Sequence, residues 1–97
     1  MNKQYWVYML ASKEDGAIYI GVTSDLIKRI YQHRNSITKG HTSKYHIRRL
    51  VYFVEFSDPE NAIKHEKRLK KYSRQWKINL IEKNNPTWKD LWDDITQ

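Results

Sequence analysis

The sequence predicts an α/β fold: a small three-stranded antiparallel or mixed sheet flanked by helices, in the order β-β-α-β-α-α-α. Three observations carry that prediction. Residues 4–12, 17–22 and 48–56 place bulky side chains with the alternation of strands. Asp15-Gly16, between the first two, is a hairpin signal. From Ser57 onward the chain reads as helices set off by caps and breakers.

In the first segment Tyr5, Val7 and Met9 point one way and Trp6, Tyr8 and Leu10 the other. Bulk on both faces predicts a central strand covered on both sides. The hairpin that follows sets Tyr8 and Tyr19 on neighbouring strands. Ile18, Ile20 and Val22 alternate with Tyr19 and Gly21, and the chain is expected to turn at Gly21. Ser24 or Asp25 then caps a helix over about 24–36, because a short side-chain oxygen bonds the free N–H groups of a first turn. Its apolar positions are Leu26, Ile30 and Ile37, and Asp25, Arg29 and His33 share one face. Residues 37–47 form a polar loop containing His41, Lys44 and His46; it reads either as a contact surface or as a solvated connection.

Leu50, Tyr52, Val54 and Phe56 alternate with Val51, Phe53 and Glu55 in the clearest strand. Ser57-Asp58-Pro59-Glu60 then supplies a cap, a first-turn proline and an early acid, which opens a helix over 59–71 carrying Ala62, Ile63, Leu69 and Tyr72. A helix over 74–83 carries Trp76, Leu80 and Ile81, and Asn84-Asn85-Pro86 breaks it. Residues 87–92 are expected to form a short final helix whose Trp88, Leu91 and Trp92 clamp onto the body.

The 97 residues fit one domain, 1–97, with four Trp and seven Tyr supplying much of its burial. Without cysteine there is no disulfide framework and no thiolate zinc site, which fits a cytoplasmic location. No apolar window is long enough to span a membrane, and the first residues lack a signal-peptide core. Lys and Arg number 18 against 11 acids, a net charge of +7. Such a surplus gathers polyanions, of which nucleic acid is the commonest, though a merely basic protein has the same balance.

The segment 64–77 concentrates that charge, and Glu66 is its only acid. Glu66 either pairs with Lys70 one turn on or faces inward to hold a divalent cation, which takes oxygen ligands and often one or two carboxylates. Arg29 is either a solvated charge or a fork for a phosphate, a geometry that Lys cannot match. His33 is either structural or placed to orient that phosphate or pass a proton. The histidine spacings do not form a zinc pattern.

Taken together, Val7-Tyr8-Met9, Tyr19-Ile20-Gly21, Arg29, His33 and Glu66 resemble the ordered signature of the GIY-YIG nuclease superfamily. The likeness covers nearly the whole chain, and its ending, Trp76-Lys77 through Asn85-Pro86-Thr87-Trp88, is similar to the short stand-alone bacterial members. The resemblance implies a GIY-YIG-like fold and a metal-dependent or structure-selective endonuclease that hydrolyses phosphodiester bonds of DNA, in repair or recombination. It implies one divalent metal ion, Mg2+ or Mn2+, on Glu66, and no small-molecule cofactor. It further implies that Arg29 stabilises the scissile phosphate, that Tyr8 and Tyr19 position or deprotonate the attacking water, and that His33 and His41 assist. His41, Lys44, Lys67, Lys70, Lys71 and Arg74 are the expected nucleic-acid contacts. The expected partner is DNA, with room for an unidentified protein that delivers it.

The chain departs from the signature in two places. The first motif keeps its tyrosine but has valine and methionine around it, and Val22-Thr23 stand where some repair-type members carry a lysine. The alternative function is a non-catalytic nucleic-acid-binding module on the same fold. A protein-interaction domain is a third.

Overall fold

The computed structural model describes residues 3–35 and 46–97. Three strands, β1 (Tyr5–Ala11), β2 (Ile18–Thr23) and β3 (Arg49–Phe56), form one sheet in the order β2-β1-β3. Both pairings are antiparallel, which settles the choice between an antiparallel and a mixed sheet. β1 is central, as its two bulky faces require. The hairpin closes where Asp15-Gly16 sits: Asp15 takes φ 54°, and the Gly16 N–H donates to the Lys13 carbonyl at 3.0 Å.

The helices are α1 (Leu26–Arg34), α2 (Pro59–Lys71), α3 (Arg74–Asn84) and α4 (Trp92–Thr96). Asp25, rather than Ser24, caps α1, its Oδ1 accepting from the Lys28 N–H at 3.2 Å. Asp58 caps α2 through the Asn61 N–H at 2.9 Å, and Pro59 sits in the first turn, where a missing N–H costs nothing. Ser73 caps α3 through the Trp76 N–H.

The alternation of β1 divides the core in two. On one face Val7, Met9 and Ala11 join Ile20 and Val51 under Ala62 and Leu69 of α2, Ile81 of α3, and Trp88. On the other, Tyr8 and Leu10 join Leu50 under Leu26 and Ile30 of α1, with Leu91, Trp92 and Ile95 packed alongside. The result is three layers, with α2 and α3 on one side of the sheet and α1 and α4 on the other. Ile37 lies outside the described residues.

The last segment departs from expectation. Residues 87–91 are not helical, and only Trp92–Thr96 form α4. The reason lies in what holds this stretch to β3, the edge strand. Asn85, which is buried, donates to the Val51 carbonyl at 3.2 Å and to the Lys89 carbonyl at 2.8 Å, and accepts from the Lys89 N–H at 2.9 Å. The Leu91 N–H donates to the Leu50 carbonyl at 2.8 Å, and Asp90 accepts from the Leu50 N–H. These backbone groups are committed to the sheet edge and unavailable to a helical ladder. Trp88 is fully buried at φ 56°, a strained backbone for so bulky a residue. It is held there by its indole N–H to Glu82 at 2.7 Å and by Arg49 on its carbonyl at 3.0 Å. The expected clamp therefore exists, built as a strap over the β3 edge.

Candidate active site

β1, β2 and α1 bring four of the expected residues together. Tyr8 lies on β1 and Tyr19 on β2, two positions from Gly21, the residue directly opposite Tyr8. Their ring centroids are 6.4 Å apart. His33, from the last turn of α1, closes a triangle at 5.9 Å from Tyr8 and 5.6 Å from Tyr19. Tyr8 and His33 are almost completely buried, at 1% and 2% exposure, and the Tyr8 hydroxyl lies 3.2 Å from His33 Nε2.

Gly21 makes this cluster possible, and not by turning the chain. It lies within β2, which continues to Thr23. A Cβ at Gly21 would stand 2.4 Å from the Tyr8 hydroxyl oxygen and 2.5 Å from Cζ, so only glycine lets the Tyr8 ring lie across the neighbouring strand. The expected turn at Gly21 is thus replaced by a cradle for Tyr8.

Arg29, one turn before His33 on α1, completes the cluster. Its guanidinium hydrogen-bonds Tyr8 and Tyr19, and these contacts hold its pKa above the ordinary arginine value. Nη1 also donates to Gln32 Oε1 at 3.3 Å. Gln32 was not singled out from sequence; its only signal is its place three residues after Arg29, on the same helix face. A shallow cleft of about 280 Å³ opens beside Arg29, lined by Thr23, Ser24, Asp25, Lys28, Arg29 and Gln32.

The electrostatics follow from burial. Desolvation raises the Tyr8 pKa; the Arg29 hydrogen bond opposes this, and the charges of Tyr19 and Glu66 add to it. Burial first, and then the positive charge of Arg29, push His33 down to about 4. Its ring is therefore neutral at pH 7, and in the tautomer protonated at Nδ1 its Nε2 accepts the Tyr8 O–H.

Glu66 comes from α2, in the opposite layer, yet its charge is felt at Tyr8. Of its two readings, the pair with Lys70 is the one present. Its carboxylate is only 14% exposed and accepts Lys70 Nζ at 3.1 Å, one turn on. Among the described residues no three His, Asp or Glu side chains cluster as a closed metal cage. A single half-sheltered carboxylate suits a hard cation that completes its shell with water and substrate phosphate.

The expected nucleic-acid contacts divide. Lys67, Lys70 and Lys71 are exposed on α2. Arg74 is half exposed, but its guanidinium donates to the Asp15 carbonyl at 2.6 Å, the Gly16 carbonyl at 2.9 Å and Asp15 Oδ1 at 3.2 Å. It ties α3 to the hairpin tip, which sequence spacing does not reveal. His41 and Lys44 lie outside the described residues. His46 stands before β3 at φ 56°.

Residues 4–79 match the family model described as the GIY-YIG catalytic domain. The chain belongs to the GIY-YIG family. Relatives of similar length match the chain over most of it. A UPF0213 protein of Staphylococcus saprophyticus is 41% identical over 85 residues, which cover 84% of this chain and 96% of that protein. A UPF0213 protein of Fusobacterium nucleatum is 31% identical over 87 residues, covering 90% and 86%. The solution NMR structure of a UPF0213 protein from Bacillus halodurans is similar with a TM-score of 0.57 and 28% identity, covering 90% of this chain and 92% of that one. Val7 and Met9, which flank Tyr8 in the first motif, both point into the α2–α3 core, away from the Tyr8 cluster. No helix among the described residues is long and apolar enough to cross a membrane.

Proposed function

We propose that this chain is a metal-dependent endonuclease that hydrolyses phosphodiester bonds of DNA. The observation that carries the reading is the meeting of Tyr8, Tyr19, Arg29 and His33 in one cluster. Glu66 is the residue that would hold a divalent cation, Mg2+ or Mn2+. When bound, that cation supplies positive charge against the negative charge that builds on a phosphoryl group in its transition state.

The chain's own groups supply the rest. Arg29 is the cation of the cluster, and its planar fork of N–H donors is the geometry that would meet a phosphate oxygen. Tyr8 receives the proton of the attacking water, with neutral His33 as the next acceptor at 3.2 Å. Burial raises the Tyr8 pKa and so favours the protonated phenol, which takes up the water's proton as it passes its own to His33; Arg29 on the same phenol favours its ionised form. Tyr19 holds the second side of the guanidinium. Lys67 and Lys71 add backbone phosphate contacts, which position a duplex without reading its sequence. DNA repair or recombination in the cytoplasm is the setting that this reading suggests.

One observation favours the alternative of a non-catalytic module: Lys70 occupies the carboxylate on which the metal depends. A gel assay on single-stranded, duplex and branched DNA separates the two, run with Mg2+ or Mn2+ and with chelator. Metal-dependent products that vanish in Arg29→Ala support the nuclease. Salt-sensitive binding with no product at any metal concentration supports the module.

A further inference from the structure

Of the four tryptophans, Trp76 alone is exposed, at 63%. It lies in the first turn of α3, ten residues after Glu66, on a backbone that is tied down. Tyr72 packs against it edge to face at 5.3 Å, the Ser73 hydroxyl accepts its backbone N–H, and Arg74, two residues before it, is bonded to the hairpin tip. An indole held in water on a rigid mount gives up hydration without paying for order in the free protein. Its surroundings identify the occupant. From residue 67 to 77 the chain carries six Lys and Arg, and no acid appears until Glu82. An apolar protein face or a lipid tail has no use for so many cations, whereas a nucleic-acid strand offers a flat base to the ring and phosphates to the charges.

We infer that Trp76 is a stacking platform for an unpaired nucleobase, set in the basic run that holds Lys71 and Lys77, so that the preferred substrate is DNA with a single-stranded flap, end or loop. This rests on the nucleic-acid reading above and specifies its substrate class. A paired base in a duplex has no free face to offer, which makes the platform selective for unpaired segments without reading sequence.

The test compares wild-type protein, Trp76→Ala and Trp76→Phe in chelator, so that no cleavage intervenes. Fluorescence anisotropy measures binding to a labelled duplex bearing an unpaired flap and to a blunt duplex of the same sequence. The expected result is that Trp76→Ala weakens flap binding roughly 5- to 100-fold. Trp76→Phe should keep most of the affinity, and blunt-duplex binding and the salt slope should stay at wild-type values, because no charge was removed. Equal loss on both DNAs, no loss on either, or a wild-type dimer that Trp76→Ala dissolves would overturn the inference. Failure of wild-type protein to bind any DNA at low salt would overturn both this and the proposed function. Flap-selective binding without cleavage in Mg2+ or Mn2+ would overturn only the nuclease activity.

Discussion

The two faces of the central strand have been put to different uses. Val7, Met9 and Ala11 point into the layer of α2, α3 and Trp88, which is built from aliphatic and aromatic packing. One residue out of step, Tyr8 points into the layer of α1, where a phenol, an imidazole and a guanidinium are gathered under cover. Each residue in the first layer contributes stability through apolar burial. In the second, polar groups are buried at a cost that is offset only because they hydrogen-bond one another. The difference teaches that substitutions on the two faces of β1 should separate stability from activity, although the residues are neighbours in the chain.

The first way to break that contrast is Leu69→Ala on the apolar side. Leu69 is fully buried, so the loss of side chain and the cavity left behind should cost about 2–5 kcal/mol. Urea denaturation checks this. Cleavage per folded molecule should be unchanged; a matching loss of turnover would show that the two layers are not separable. On the polar side, Arg29→Ala should reduce single-turnover cleavage about 10²–10³-fold, the scale of removing one preorganised donor from a developing charge. Its circular dichroism and melting temperature should stay close to wild type, and undiminished cleavage would remove Arg29 from the site.

Gly21→Ala sharpens the comparison, because it adds one methyl group without removing a functional side chain. The new Cβ collides with the Tyr8 hydroxyl and must displace the ring. A shift of about 1 Å in a positioned group costs about 10²-fold in rate. Cleavage should therefore fall far more than stability does. A variant with normal turnover would mean that the placement of Tyr8 does not matter.

A further effect is a pH dependence of stability. The unfolded His33 takes up its proton near pH 6.5, but the folded one does so only near 4. Between those values the unfolded chain binds a proton that the native chain refuses, so stability falls as pH falls, by at most about 1.4 kcal/mol per pH unit, and the slope ends below the folded value. Denaturation from pH 7 to 4 should show this slope, and His33→Gln should reduce it, leaving the part from His65, which burial also pushes down. An unchanged slope in the variant would place the effect elsewhere.

The sequence pattern was most legible where physics is local. Alternation in β1, the Asp15-Gly16 turn and the Asp58-Pro59 cap each depend on residues close in the chain, and all three appear in the structure. The meeting of Tyr8, Tyr19, Arg29 and His33 was legible through the family signature, since spacing alone left Arg29 and His33 open between site and surface. What stayed hidden depends on distant partners. Residues 87–91 have helical composition but follow the edge of β3, because Asn85, Asp90 and Leu91 bond a strand some 40 positions earlier. Arg74 looks like any other cation of its run until the hairpin tip is placed against it. The role of Gly21 needed the Tyr8 ring in three dimensions.

In the proposed site Glu66, from the layer of α2, joins the cluster around Tyr8. Cleavage of labelled branched DNA by wild-type protein and by Glu66→Gln, each with Mg2+ and with chelator, tests it most directly. Product is expected from wild-type protein in metal, none in chelator, and none from Glu66→Gln, which should still fold and bind DNA. Undiminished cleavage by Glu66→Gln, or cleavage by wild-type protein that persists in chelator, would contradict it.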